Sequence, residues 1–201
     1  MRLTRRLLLS AAALPALPLA RRAWAVEPWA GERSLGRPDA RVTVVECFSL
    51  TCTHCAAFSR ETMPQVQTQL IDTGKVRFVY QDFPLDQVAL MAAMVARSLP
   101  PERYEPFVRA LFASQDRWAF ARGVNSTDEL RKMALLAGMS PEGFTSAISN
   151  NDLKNFILNE QDEATKKWGV DSTPSFIVNG RKTPGALGFD AFSKVVADAG
   201  A

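Results

Sequence analysis

A chain of 201 residues with three cysteines has room for one domain with a real core and too few cysteines to be a disulfide-stapled scaffold. Its formal charge of +3 owes its sign to the N-terminus. Residues 1–25 hold five arginines and no acids, and without them 19 of the 24 basic residues face 21 acidic ones. With no Lys/Arg cluster interleaved with aromatics, that balance excludes nucleic-acid binding.

Residues 1–25 have a basic start (Arg2, Arg5, Arg6), an apolar stretch of 13 residues from Leu7 to Leu19, and Ala23-Trp24-Ala25 as a small-x-small cleavage site. The stretch is too short for a membrane span, which needs roughly 17 to 25 apolar residues. It reads as an export signal. Arg5-Arg6 ahead of an alanine-rich stretch, with Arg21 and Arg22 behind it, fits the twin-arginine route; an ordinary secretory signal with extra arginines is the alternative. Either route implies a location outside the bacterial cytoplasm, in the periplasm. No later segment is long and apolar enough to span a membrane.

Residues 26–40, with Pro28, Gly31, Gly36 and Pro38, read as an extended leader or short edge strand. Residues 42–48 are β-branched and apolar except Thr43 and Glu46, as a buried central strand would be. A helix is expected from about 52 to 71, kinked at Pro64 and stopped by Gly74, then a strand over 76–80.

After Phe83-Pro84 the period turns helical, with segments near 86–98, 102–121, 127–138, 141–149 and 152–168. Ser126-Thr127-Asp128-Glu129 reads as a capping box, Pro141 follows Ser140 at a first helical position, and Gly138 and Gly169 read as stops. Met91, Met94, Trp118 and Phe120 have the spacing of core residues, with a substrate groove as the alternative. A strand over 175–178, a tight turn at Asn179-Gly180, a return over 181–183 and a final helix over 189–199 complete the chain. The order predicts an α/β fold: a four- or five-stranded sheet in two segments, 41–84 and 169–201, with an all-helical block, 85–168, inserted between its βαβ and ββα halves.

All three cysteines lie in "CFSLTCTHC", residues 47–55, where a strand gives way to a helix. A Cys-x-x-Cys there places Cys52 among free N–H groups at the positive end of the helix dipole, which favours thiolate and makes Cys52 the expected nucleophile. Cys55, about one turn on, is close enough to close a disulfide and resolve it. His54, the only histidine, can add positive charge or an N–H near the sulfur and so favour the reduced pair.

Glu46 reads either as a carboxylate that reaches a rim or a partner, or as a buried acid with a raised pKa that shuttles protons at Cys55. Cys47 points to the other face of the strand and reads as packing. A structural zinc site is disfavoured because the sequence has no second Cys/His pair. Neither a metal nor an organic cofactor is expected.

Cys52-Thr53-His54-Cys55 opening a helix, together with Thr173-Pro174 before a late strand, resembles the DsbA-like branch of the thioredoxin-fold family. Gly36-Arg37-Pro38-Asp39-Ala40-Arg41-Val42-Thr43-Val44-Val45-Glu46, Tyr80-Gln81-Asp82-Phe83-Pro84-Leu85 and Gly169 to Gly180 extend the similarity from about residue 34 to the C-terminus. The resemblance implies a cis peptide at Pro174, Thr173 backbone turned toward the redox pair where an extended substrate can bind, and Thr53 beside that substrate. It also implies exported substrate proteins with free thiols and a membrane redox partner. Thr53 stands where the best-known oxidases of the branch carry proline, so their redox potential does not transfer. The expected activity is a monomeric disulfide oxidase, with a disulfide isomerase or reductase and a non-enzymatic metal-handling or binding module as alternatives.

Overall fold

The computed structural model describes residues 27–200, so the export-signal reading of residues 1–25 lies outside them. Five strands, β1 (Arg33–Leu35), β2 (Val42–Phe48), β3 (Val76–Asp82), β4 (Ser175–Val178) and β5 (Arg181–Pro184), form one sheet in the order β1-β3-β2-β4-β5. β2 and β3 run parallel, joined through helix α1 (residues 53–71), and every other pair is antiparallel. β2 is central and covered on both faces, which is why its sequence is a nearly unbroken apolar run. The edge strand expected within 26–40 is β1, with Arg33 opposite Tyr80 and Leu35 opposite Phe78. Gly36 follows at φ +84°, where a Cβ would stand 2.5 Å from the Val76 carbonyl oxygen. Only glycine lets the chain turn this close to β3.

The kink expected at Pro64 takes the form of π turns. In a regular helix the proline ring would meet the carbonyl four residues back; here a π turn at Phe58–Thr62 comes just before it, with Met63 N–H bonded to Phe58 O, and a second spans Gln67–Ile71.

Between β3 and β4 lie α2 (Gln87–Ser98), α3 (Pro101–Ala113), α4 (Gln115–Trp118), α5 (Ser126–Leu136), α6 (Pro141–Ser149) and α7 (Asn151–Trp168), and α8 (Phe189–Gly200) closes the described chain. The single helix expected over 102–121 is two, broken at Ser114 (φ −122°, ψ 22°). The cap expected at Ser126 is one residue earlier: the Asn125 side chain accepts from Thr127 N and Asp128 N. Ser140 caps α6 as its sequence indicates, and the turn into β5 has φ of 46° at Asn179 and 84° at Gly180.

One sheet face carries Val42, Val44, Glu46 and Phe48 beneath α1 and α8; the other packs Cys47 and Ile177 against Ala164 of α7. Aromatic rings run from Phe192 through Phe176, Phe58, Phe78 and Tyr80 to Tyr104 of α3, with successive centroids 4.7 to 6.4 Å apart. The inserted helices therefore share one core with the sheet. Met94 and Trp118 belong to that core, Met91 packs against it, and Phe120 is exposed.

Where β3 leaves the sheet, Asp82 pairs with Arg97 and accepts from Tyr104 Oη at 3.3 Å. Arg33 lies beside them, donating to Arg97 O at 3.2 Å, with its guanidinium 5.4 Å above the Tyr104 ring. Two buried arginines against one buried aspartate make this the most charged part of the interior; main-chain carbonyls of Trp29, Gly31 and Pro28 accept from the Nη atoms of both guanidinium groups, while buried Arg33 Nε has no partner.

Candidate active site

β2 ends at Phe48, and the chain turns through Ser49 and Leu50 to place Cys52 at the N-cap of α1 with extended geometry (φ −79°, ψ 120°). The turn is tied in several places. Cys52 N donates to Ser49 O at 3.0 Å, and Leu85 N to Ser49 Oγ at 3.3 Å. Thr51 Oγ1 donates to Asp86 Oδ2 at 2.6 Å, while Asp86 caps α2 through Ala89 N. Opposite, Gly185 N donates to Pro174 O at 3.2 Å, and Ser175 Oγ to Ser172 O at 2.8 Å. The peptide between Thr173 and Pro174 is cis.

These elements bring Cys52, Cys55, Glu46, Thr173 and Pro174 together. Cys52 Sγ lies 3.3 Å from Thr173 O and donates to it as a thiol. The Cys52 thiol is pulled down to about 5. The first cause is the hydrogen bond from Cys55; the Thr173 hydroxyl and the backbone N–H groups of Cys55 and His54 add to it, against the opposing effect of burial. Thr173 Oγ1 is buried and has no hydrogen-bond partner, so its hydroxyl is free to turn toward the sulfur. Cys55 is fully buried, and burial, its bond to Cys52 and the charge of Glu46 all push its thiol upward. Both cysteines are free thiols.

Glu46 lies under this pair, between Tyr80 and Phe176 in the sheet. It is 3% exposed, and its Oε1 has no hydrogen-bond partner. Burial, then the charge on Cys52, pushes its carboxyl up to about 8. The alternative that Glu46 reaches a rim or a partner does not describe this position. Cys47 faces away from the pair, and burial holds its thiol up at about 12.

Thr53 and His54 occupy the exposed first turn of α1. It is the backbone N–H of His54 that favours the Cys52 thiolate, whereas sequence reasoning looked to its ring. That reasoning missed Gln115, whose amide donates to Leu50 O and Cys52 O at 2.8 and 3.1 Å. It also missed the Ser49-Thr51-Asp86 chain. Asp86 carried a signal, an aspartate directly ahead of an apolar helix; Gln115 carried none. Among the described residues, no group of three or more His, Cys, Asp or Glu is arranged to hold a metal ion, and no helix is long and apolar enough to cross a membrane.

A depressed thiol at a helix start, a buried partner thiol one turn on, and a cis-proline loop facing both, on this sheet with helices inserted between β3 and β4, define a thioredoxin-like fold with a helical insertion. A family profile described as thioredoxin matches residues 30–198. The crystal structure of Wolbachia pipientis alpha-DsbA1 superposes with a TM-score of 0.77 at 30% identity, covering 84% of this chain and 90% of that one. The thiol:disulfide interchange protein DsbA of Haemophilus influenzae is 28% identical over 157 residues, 75% of this chain and 73% of its own. A Rickettsia conorii protein named for protein-disulfide oxidoreductase activity is 30% identical over 163 residues, 81% of this chain. The chain spans only 58% of that relative's length. The chain belongs to the DsbA-like branch of the thioredoxin-fold family.

Proposed function

We propose that the protein is an exported, monomeric thiol:disulfide oxidoreductase of the periplasm, acting as an oxidase on exported proteins with free thiols. The observation that carries this reading is the opposed placing of the two thiols: Cys52 at the N-cap of α1, pulled down to about 5, beside fully buried Cys55, pushed upward. Stabilising the reduced pair makes its disulfide oxidising.

In the oxidised protein a substrate thiolate attacks the Cys52 sulfur. The Cys52–Cys55 bond breaks, the electron pair leaves on Cys55, and Glu46 supplies the proton that Cys55 takes up. A second substrate thiolate then attacks the substrate sulfur of the mixed disulfide, and Cys52 leaves as thiolate. Two substrate thiols are oxidised and the cysteine pair is reduced by two electrons; a membrane redox partner takes those electrons and restores the disulfide. No metal or organic cofactor enters. Thr173 and Pro174 hold extended substrate backbone beside Cys52, Thr53 borders it, and the His54 ring adds positive charge when protonated.

The test is the equilibrium potential against glutathione, together with parallel assays of substrate oxidation and of scrambled-disulfide repair. An oxidase lies well above the roughly −270 mV of thioredoxin and oxidises reduced substrate faster than it repairs scrambled substrate. A potential near that of thioredoxin, or repair without oxidation, would replace this reading with a reductase or isomerase. Stoichiometric metal kept by the purified protein and lost in Cys52→Ser would replace it with a metal-handling module.

A further inference from the structure

Gln115 is 4% exposed and opens α4. Its side chain faces two main-chain carbonyls, those of Leu50 and Cys52, on either side of Thr51. Both are acceptors only, so the amide nitrogen must face them, and both of its hydrogens are used. Cys52 O also accepts the first bond of α1, from Ala56 N at 3.1 Å.

The break at Ser114 makes this reach possible. In an uninterrupted helix Leu111 O would take the N–H of Gln115. Here it accepts from the Trp118 indole at 2.8 Å and from Ser114 N at 3.3 Å. Trp118 is 1% exposed, and the only polar hydrogen of its side chain is spent on that bond. A helix interrupted at one residue, with a buried indole capping the carbonyl so released, delivers one amide to the backbone of the redox turn.

We propose that Gln115 is a positioning residue through which the inserted helices set the reactivity of Cys52: its amide neutralises the Leu50 and Cys52 carbonyls and so favours the thiolate beside them. This rests on the reading of Cys52 as the attacking thiol. A carbonyl left without its donor turns uncompensated negative potential on the site, in surroundings where such effects are strong.

The test titrates Cys52 in the reduced full-length protein by ultraviolet thiolate absorbance and by the pH dependence of iodoacetamide alkylation, in wild type, Gln115→Met and Gln115→Glu. Methionine keeps the length and loses both donors; an ionised glutamate adds like charge. The expected result is a midpoint raised by roughly half to one unit in Gln115→Met and at least as far in Gln115→Glu. Alkylation below both midpoints then slows by roughly 3- to 10-fold.

Folded variants that titrate like wild type, whatever their melting temperatures, would overturn the proposal. A wild-type midpoint at the ordinary thiol value would instead overturn the reading of Cys52. Should neither variant fold, Gln115→Asn, which withdraws the amide by one methylene, is titrated the same way. A wild-type midpoint there, or failure of all three to fold, also overturns the proposal.

Discussion

Glu46→Gln in the oxidised protein is expected to raise stability at neutral pH by an amount set by pH. Glu46 is buried between Tyr80 and Phe176, and its carboxyl is pushed from 4.5 up to about 8. Its folded-state value is above its unfolded one, so the folded protein binds the extra proton. Stability is complete below the unfolded value and is lost as pH rises through the folded one, at about 1.4 kcal/mol per pH unit in between. From pH 4.5 to pH 7 the loss comes to about 3 kcal/mol. Burial is the larger cause and persists in the disulfide; the charge on Cys52 does not, so the oxidised protein falls somewhat short of that figure.

Glutamine has no titration. Its amide needs partners that the carboxyl lacked, which shifts the whole curve by a constant and leaves the slope as the test. Urea unfolding of both oxidised proteins from pH 4.5 to 8 should give stabilities that diverge by pH 7 by up to about 3 kcal/mol, in favour of the variant. Parallel curves would mean that the carboxyl titrates normally, and the proton relay to Cys55 would fall with it. If the relay holds, the same variant slows exchange at Cys55 on the order of 10²-fold near neutral pH, the lower end for general acid–base catalysis.

Alkylation of Cys52 should be half-maximal at about pH 5. This folded value is depressed, so the stabilisation of the reduced protein is complete above the ordinary thiol value of 9.0 and is lost as pH falls through 5. At pH 7 it raises the potential by ~60 mV over a pair with an ordinary Cys52, and the potential should change by ~59 mV per pH unit below 5 and ~30 mV above it; a single slope across pH 5 would contradict this. Asp82→Ala leaves Arg97 and Arg33 buried without their counter-charge and should cost about 3 to 5 kcal/mol in denaturant unfolding, whereas Asp82→Leu with Arg97→Met should recover much of it. Gly36→Ala sets a Cβ against the Val76 carbonyl in a left-handed backbone and should lower stability by roughly 1 to 3 kcal/mol; unchanged unfolding would refute the close approach.

What the sequence announces is what forms over short spans. β2, the Cys-x-x-Cys helix, the Ser140-Pro141 start and the Asn179-Gly180 turn are each fixed by neighbours within a few residues. Cys52, Cys55 and Glu46 share one strand and one helical turn, so their proximity could be read directly; Thr173, 121 residues from Cys52, came only through family resemblance. The Asn125 cap is ambiguous locally, because Asn125 and Ser126 are both good caps. The break at Ser114 is invisible, since the apolar period continues through it and what favours it is the Trp118 indole bond to Leu111 O together with the long-range bonds of Gln115. The Arg33-Asp82-Arg97 cluster joins segments far apart in sequence, and three-residue β1 has no periodicity to reveal its pairing.

The site needs this long-range part as much as the local one. A helix start and its N–H groups favour the Cys52 thiolate, but the adjoining carbonyls act against it unless each has a donor. Leu50 O lies ahead of α1 and has no helical partner in it, so its donor must come from elsewhere. The inserted helices provide it, and they also cover the face of β2 that holds Cys47, leaving Glu46 on the opposite face in an apolar layer with α1 above it. Three titratable groups within one helical turn and the strand below are thereby driven apart: Cys52 down, Cys55 and Glu46 up. In the proposed exchange, that separation lets one thiol leave as an anion and the other leave with a proton at hand, which is the division of labour that directional disulfide exchange requires.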